Sequence, residues 1–188
     1  NMSFGIHFNR RPTAQELAAV EGQQKALYRE IYDEAVANDV LLVQAAGNQL
    51  DEGGIEYAQY PGAFDLALSV GAVSPDNYKR ASYSNYGALV DICAPGGDIN
   101  RDQPGIWSCA SQDRWDDRLY VEFDGTSMAC PHVAGVAALV KSVNPALTPE
   151  EIILILVATA DNSVPDASVI GPMVDAYAAV QAAQGGVG

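Results

Sequence analysis

Gly125-Thr126-Ser127-Met128-Ala129-Cys130-Pro131-His132-Val133-Ala134, followed by Gly135, is the stretch on which the reading of this chain turns. A strand-like run, Leu119 to Phe123, delivers a Gly-Thr-Ser turn to the start of an apolar helix, so the hydroxyl of Ser127 stands at a helix N-terminus. Free backbone N–H groups and the positive end of the helix dipole meet there. Both favour the negative charge that develops on a carbonyl oxygen under nucleophilic attack. An isolated Gly-Thr-Ser is more simply a helix N-cap, and the neighbouring sequence separates the two readings.

Downstream, the apolar helix runs from about Ser127 to Val143 and stops before Pro145. Thr148-Pro149-Glu150-Glu151 opens a second helix with a capping box and proline at its first position, and Ile152, Ile153, Leu156 and Val157 supply its apolar face. A last helix, about Met173 to Ala183, precedes Gly185-Gly186-Val187-Gly188. Upstream, Gly105 to Cys109 and Leu119 to Phe123 form a hairpin across the polar stretch Ser111 to Arg118. Val40 to Ala46, Leu66 to Val73 and Leu89 to Cys93 are apolar runs too short for helices, each closed by turn residues. They read as buried strands. Thr13-Ala14-Gln15-Glu16 is another capping box and opens a long helix to about Asn38. Leu17, Val20, Leu27, Ile31 and Ala35 form its apolar face, and Gly22 is a point of interruption. Asn1-Met2-Ser3-Phe4-Gly5 reads as the middle of a strand. Alternating buried strands and helices predict an α/β domain with a mostly parallel buried sheet flanked by helices, without repeat or linker.

At 188 residues and 48% apolar, the chain can bury a sizeable single core. With 24 acidic against 10 basic residues its net charge is -14, which repels phosphate backbones and anionic lipid. No nucleic-acid or membrane partner is expected. No run approaches the ~20 apolar residues of a membrane span, and no signal peptide is evident in the chain. Cys93, Cys109 and Cys130 are odd in number and lack Cys-x-x-Cys spacing, so neither a disulfide framework nor a zinc site is implied. Cys130 reads as a small buried apolar residue.

Acyl transfer to serine needs a nucleophile, a base, a group that orients the base, and donors for the oxyanion. Ser127 is the candidate nucleophile. Asn48, closing Ala45-Ala46-Gly47-Asn48 at a strand's carboxyl end, is the candidate oxyanion donor beside the backbone N–H of Ser127. The chain has 2 histidines. His132 follows Ser127 by five positions on the same helix, which turns it about 140° away and ~7.5 Å along the axis; it reads as a packed, hydrogen-bonded structural residue. His7 lies in the loop Gly5-Ile6-His7-Phe8-Asn9, without a glycine-rich setting, and is not read as the base. Pro131 lacks the N–H that would bond the Ser127 carbonyl, so an irregular helix start is expected there.

The serine motif, together with Tyr60-Pro61-Gly62, Val70-Gly71-Ala72-Val73, Tyr83-Ser84-Asn85-Tyr86-Gly87 and Ala94-Pro95-Gly96 in this order, resembles the subtilisin-like serine endopeptidases, the subtilases of peptidase family S8. The resemblance covers nearly the whole chain. It implies that residues 1–184 are the C-terminal portion of a subtilase catalytic domain, lacking the N-terminal part of the fold, with 185–188 a glycine-rich tail. Ser3, Phe4 and Gly5 are similar to the segment that binds substrate as an added β-strand, and Ala45, Ala46 and Gly47 to the opposite wall of the primary specificity pocket. Phe4 and that wall suggest an apolar or aromatic residue before the scissile bond, against which stands Gln59 near the pocket base.

No residue here matches the family's catalytic aspartate or histidine, which precede the substrate strand. The chain alone is therefore expected to be inactive, since in subtilisin loss of the histidine costs ~10⁶ in kcat. The expected partners are a peptide or protein substrate and a complementary segment carrying Asp and His, or self-association through the exposed edge of Asn1 to Phe4. The alternative is a non-catalytic, subtilase-like binding or scaffold chain. No cofactor is required for the chemistry. The family implies that structural calcium can be bound, with Asp51, Glu52, Glu56 and carbonyls near Gly62 to Ala67 as candidates, and it implies a secreted or cell-surface location.

Overall fold

The short apolar runs pair as a parallel sheet of β1 (Leu42–Ala45), β2 (Ala67–Val73) and β3 (Ile92–Pro95), in the order β1-β2-β3. The computed structural model describes residues 1–6, 8, 10–49, 54–111, 115 and 118–185. His7, Asp51, Glu52, most of the polar connection after Ser111 and the last three residues lie outside the described residues. Every residue of β2 is buried, as a central strand covered on both faces requires. Val70 at its middle is in register with Ala45 on one side and Ile92 on the other.

β3 runs later than the sequence suggests, from Ile92 through Pro95. A proline is tolerated at the end of an outer strand because no neighbour calls on its missing N–H. Beyond β3, Met173 makes a parallel bridge to Cys93 and an antiparallel one to Asp161, so Met173 belongs to the sheet margin and not to the last helix. That helix starts only at Ala176, where the Asp175 carboxylate accepts the Ala178 N–H at 2.9 Å and caps it.

The first helix, α1 (Ala14–Ala37), carries the expected Thr13–Glu16 capping box and continues through Gly22 unbroken. Its buried residues are Gln24, Tyr32 and Ala35, whereas Leu27 is 67% and Ile31 53% exposed. The helix is therefore rotated from the face its hydrophobicity suggests. Gln24 finds buried partners in Gln59 and Tyr57, and the Tyr32 ring lies 4.5 Å from that of Phe64; these contacts fix the rotation.

β4 (Ile106–Cys109) and β5 (Tyr120–Phe123) form the antiparallel hairpin that leads into α2 (Thr126–Val143). Ala129, Cys130, Val133, Val136, Ala137 and Val140 recur at helical spacing and are buried, laying α2 across the sheet. α3 (Pro149–Thr159) begins with the Thr148–Glu151 capping box, a short α4 (Ala167–Ile170) follows, and α5 (Ala176–Gly185) packs on α2 and α3. Gly185 is thus the end of a helix. The opening strand is reduced to one parallel bridge, Met2 with Gln44, in which the Met2 N–H donates to the Val43 carbonyl at 2.8 Å.

Candidate active site

The turn before α2 is held from three sides. The Gly125 N–H donates to the Gly96 carbonyl at 3.0 Å. The buried Tyr83 hydroxyl reaches that same carbonyl and the Gly97 carbonyl at 2.8 and 2.7 Å, and burial pushes its pKa well above the usual phenol range. Thr126, fully buried, does the most: its N–H and its hydroxyl both donate to Asn48 Oδ1, at 2.9 and 2.7 Å, while the hydroxyl oxygen accepts the Gly47 N–H at 3.1 Å.

These bonds orient the Asn48 amide. With Oδ1 taken by two donors, Nδ2 is turned toward Gly125. A methyl placed at the Cβ position of Gly125 would lie 3.1 Å from Asn48 Nδ2 and 3.6 Å from the Ser127 nitrogen. The space that glycine leaves open is thus bordered by two N–H groups, Asn48 Nδ2 and the Ser127 backbone, from elements far apart in sequence. Convergent donors around a small open volume are what a developing oxyanion needs.

Ser127 Oγ has the Ser3 carbonyl at 3.5 Å, and the Ser3 hydroxyl donates back to the Ser127 carbonyl at 3.2 Å. Pro131 inside α2 leaves that carbonyl without its helical N–H, and Ser3 takes the place of the missing donor. The expected irregularity is therefore present and is used to tie the opening segment to the serine.

Ser3, Phe4, Gly5, Ala45, Gly47, Asn48 and Ser127 all line one cavity of about 190 Å³. Ala46 does not. It is fully buried in a separate apolar cluster with Ala58, Val73 and Val90, because successive side chains leave a strand on opposite faces. The opening segment is held by side-chain amides: Gln44 Nε2 donates to the Phe4 carbonyl, Gln59 accepts from the Ile6 N–H and donates to its carbonyl, and Gln49 donates to Ile6 and accepts from the Phe8 N–H. Thr126 and the glutamine clamp went unread in the sequence. No local pattern marks side chains whose partners lie 40 or more residues away.

His132 is hydrogen-bonded, but exposed and not packed; its Nδ1 lies 2.8 Å from the Met128 carbonyl and must carry the proton of that bond. It makes no hydrogen bond to Ser127. Cys130 is fully buried, donates to the Val43 carbonyl at 3.3 Å, and burial pushes its thiol up to about 11, which removes it as a nucleophile. Among the described residues no group of three or more His, Cys, Asp or Glu could hold a metal ion, and no helix is long and apolar enough to cross a membrane. Asp91, just before β3, accepts the Ser69 N–H at 2.7 Å, and burial raises its carboxyl to about 6.

The sequence profile of the subtilase family, peptidase S8, matches residues 1–184. M-protease of Shouchella clausii (strain KSM-K16) is 41% identical over 120 residues, which are 64% of this chain and 27% of that protein. Subtilisin DY of Bacillus licheniformis is 36% identical over 134 residues, 71% of this chain and 44% of that one. A solved protease of Pseudoalteromonas arctica PAMC 21717 superposes with a TM-score of 0.69 at 37% identity, covering 82% of this chain and 46% of its own. The chain spans less than half the length of each of these relatives. Its parallel sheet flanked by helices is the subtilisin-like arrangement, and with a profile match that runs from the opening segment into α5, this chain belongs to the subtilase family.

Proposed function

We propose that this chain supplies the nucleophile, the oxyanion donors and the substrate-binding segment of a serine endopeptidase, and that the base and its orienting carboxylate come from outside this sequence. Ser127 attacks the scissile carbonyl, and its proton passes to that external base. Asn48 Nδ2 and the Ser127 N–H stabilise the tetrahedral oxyanion; its collapse breaks the peptide C–N bond, the amine leaves with the proton the base had taken, and water then hydrolyses the acyl-enzyme to free Ser127 and the acid.

The observation that carries this reading is the space beside Gly125, bordered by the Asn48 and Ser127 nitrogens. The opening segment adds support. Met2 pairs with Val43 and Ala45, and Phe4 and Ile6 bond glutamine side chains through their backbone groups; in extended chain the alternate residues Ser3 and Gly5 direct theirs to the opposite edge, where a substrate peptide can add as a strand. Secretion or cell-surface display is part of the same family-based reading, as is a structural calcium.

The test is to express the product of the complete gene, and separately this chain mixed with the segment encoded upstream of it, and to measure fluorophosphonate labelling and peptide hydrolysis. Labelling that Ser127→Ala abolishes is expected for both preparations, with none for this chain by itself. A folded complete product that neither labels nor cleaves would overturn the proposal and leave a binding or scaffold role.

A further inference from the structure

The cavity beside Ser127 lies between two backbone walls, Ser3 to Ile6 on one side and Ala45 to Asn48 on the other. Both walls carry a glycine that faces inward, Gly5 and Gly47. The Gln59 side chain reaches both of them. A methyl at the Cβ position of Gly5 would come within 2.5 Å of Gln59 Cδ, and one on Gly47 within 2.7 Å of Asn85 Nδ2 and 3.0 Å of Gln59 Nε2. Gln59 is 1% exposed and cannot swing out to solvent.

Its carboxamide is also anchored. Oε1 accepts from the Ile6 N–H at 3.1 Å and from Gln24 Nε2 at 2.9 Å, and Nε2 donates to the Ile6 carbonyl at 2.9 Å. Gln24 is itself buried on α1, and its Oε1 accepts the Tyr57 hydroxyl at 2.5 Å and the Tyr60 N–H at 3.2 Å. To withdraw Gln59 from between the walls would leave several buried donors and acceptors unpaired, at a cost well above that of one ordinary hydrogen bond.

We propose that Gln59 is a specificity-determining residue that closes the floor of this cavity, so that the residue before the scissile bond must be small: glycine, alanine or serine. This rests on the nucleophile reading of Ser127 given above. Aromatic and large aliphatic side chains are refused on two grounds. The depth they need is filled by Gln59, and an apolar group pressed against a carboxamide with an N–H to spare leaves that donor without water or partner. Phe4 does not argue for an aromatic residue there: it is 51% exposed, its ring lies 6.1 Å from the Tyr28 ring, and its carbonyl is held by Gln44.

The experiment uses the product of the complete gene and a series of otherwise identical peptide substrates with Gly, Ala, Ser, Leu or Phe before the cleaved bond. An unselective fluorophosphonate titrates the active serine in the same samples. Cleavage of the Ala and Ser substrates is expected to exceed that of the Phe substrate by about 10- to 100-fold in kcat/KM, and Gln59→Gly to shift the Phe-to-Ala ratio by a similar factor in favour of Phe. Gln59→Ala, which keeps a Cβ, shifts it less. A variant that is merely unstable lowers all substrates and the titrated serine together and leaves the ratio unchanged. Wild-type enzyme that labels with fluorophosphonate yet cleaves after Phe as fast as after Ala overturns this inference. Absence of labelling overturns the nucleophile reading itself.

Discussion

The Ser3 hydroxyl donates a 3.2 Å hydrogen bond to the carbonyl of Ser127, the carbonyl that Pro131 deprives of its helical partner. One side chain thus repairs the first turn of α2 and fastens the opening segment to Ser127. Ser3→Ala is expected to lower stability by about 0.5–1 kcal/mol, the small end for a hydrogen bond because Ser3 is exposed. It is also expected to slow phosphonate labelling of Ser127. Ser3→Thr retains the hydroxyl and should restore both in denaturant titrations and labelling time courses.

Asn48→Ala removes one of the two proposed oxyanion donors. In the complete enzyme the expected loss is ~10²- to 10³-fold in kcat with KM little changed, the size seen for the equivalent loss in subtilisin. Thr126→Val keeps Asn48 but frees its Oδ1 of one donor and strands the Gly47 N–H. It should cost about 1–3 kcal/mol of stability and part of the same kcat. Combined, the two substitutions should lose less kcat than the sum of their separate effects, because Thr126 acts on the reaction through Asn48.

Gly125→Ala meets two obstacles at once. The backbone there has φ 150, outside the range that residues with a Cβ favour, and the new methyl would sit 3.1 Å from Asn48 Nδ2. A destabilisation of about 1–3 kcal/mol is expected. Ser127 should fail to label even under conditions where circular dichroism shows the variant folded.

Asp91 makes stability pH-dependent. Its carboxyl titrates at about 6 when folded against its ordinary value of 3.8, because burial penalises the anion. Between those two values the folded state holds the proton and the unfolded state has lost it. Stability therefore falls as pH rises from 4 to 6 and is flat, in this respect, above that. Asp91→Asn keeps an oxygen for the Ser69 N–H and abolishes the charge. Its advantage over wild type should grow from nothing near pH 4 to at most about 3 kcal/mol above pH 6. Urea titrations across that range, with a chelator present, measure it; an advantage that is the same at pH 4 and pH 7 would refute this account.

What could be read in the sequence was what local patterns encode. β3 keeps only Ile92 and Cys93 of its expected run, but the capping boxes at Thr13 and Thr148, the first two buried strands, the hairpin and α2 all appear close to their expected limits. So does the convergence of Ser3, Gly5, Gly47, Asn48 and Ser127 on one cavity. The failures came where a tertiary partner outweighed a local preference. α1 turned its Leu27 and Ile31 outward because Gln24 had buried hydrogen bonds to satisfy. Met173, helical by composition, was drawn to Cys93 and Asp161. Gln59 was visible as an oddity near the cavity, but only its bonds to Ile6 and Gln24 reveal that it is fixed in place.

The contacts that make this site join very distant parts of the chain: 124 residues separate Ser3 from Ser127, 78 separate Asn48 from Thr126, and 53 separate Ile6 from Gln59. Loop closures of that length are slow, and they come late relative to helices and hairpins. A partly folded chain with only α2 and the β4–β5 hairpin formed would hold Ser127 on a helix end with neither Asn48 nor Ser3 beside it. Completed folding is therefore a condition, beside the external base, for the proposed reactivity at Ser127, and a chain caught partway is expected to be chemically silent toward its neighbours.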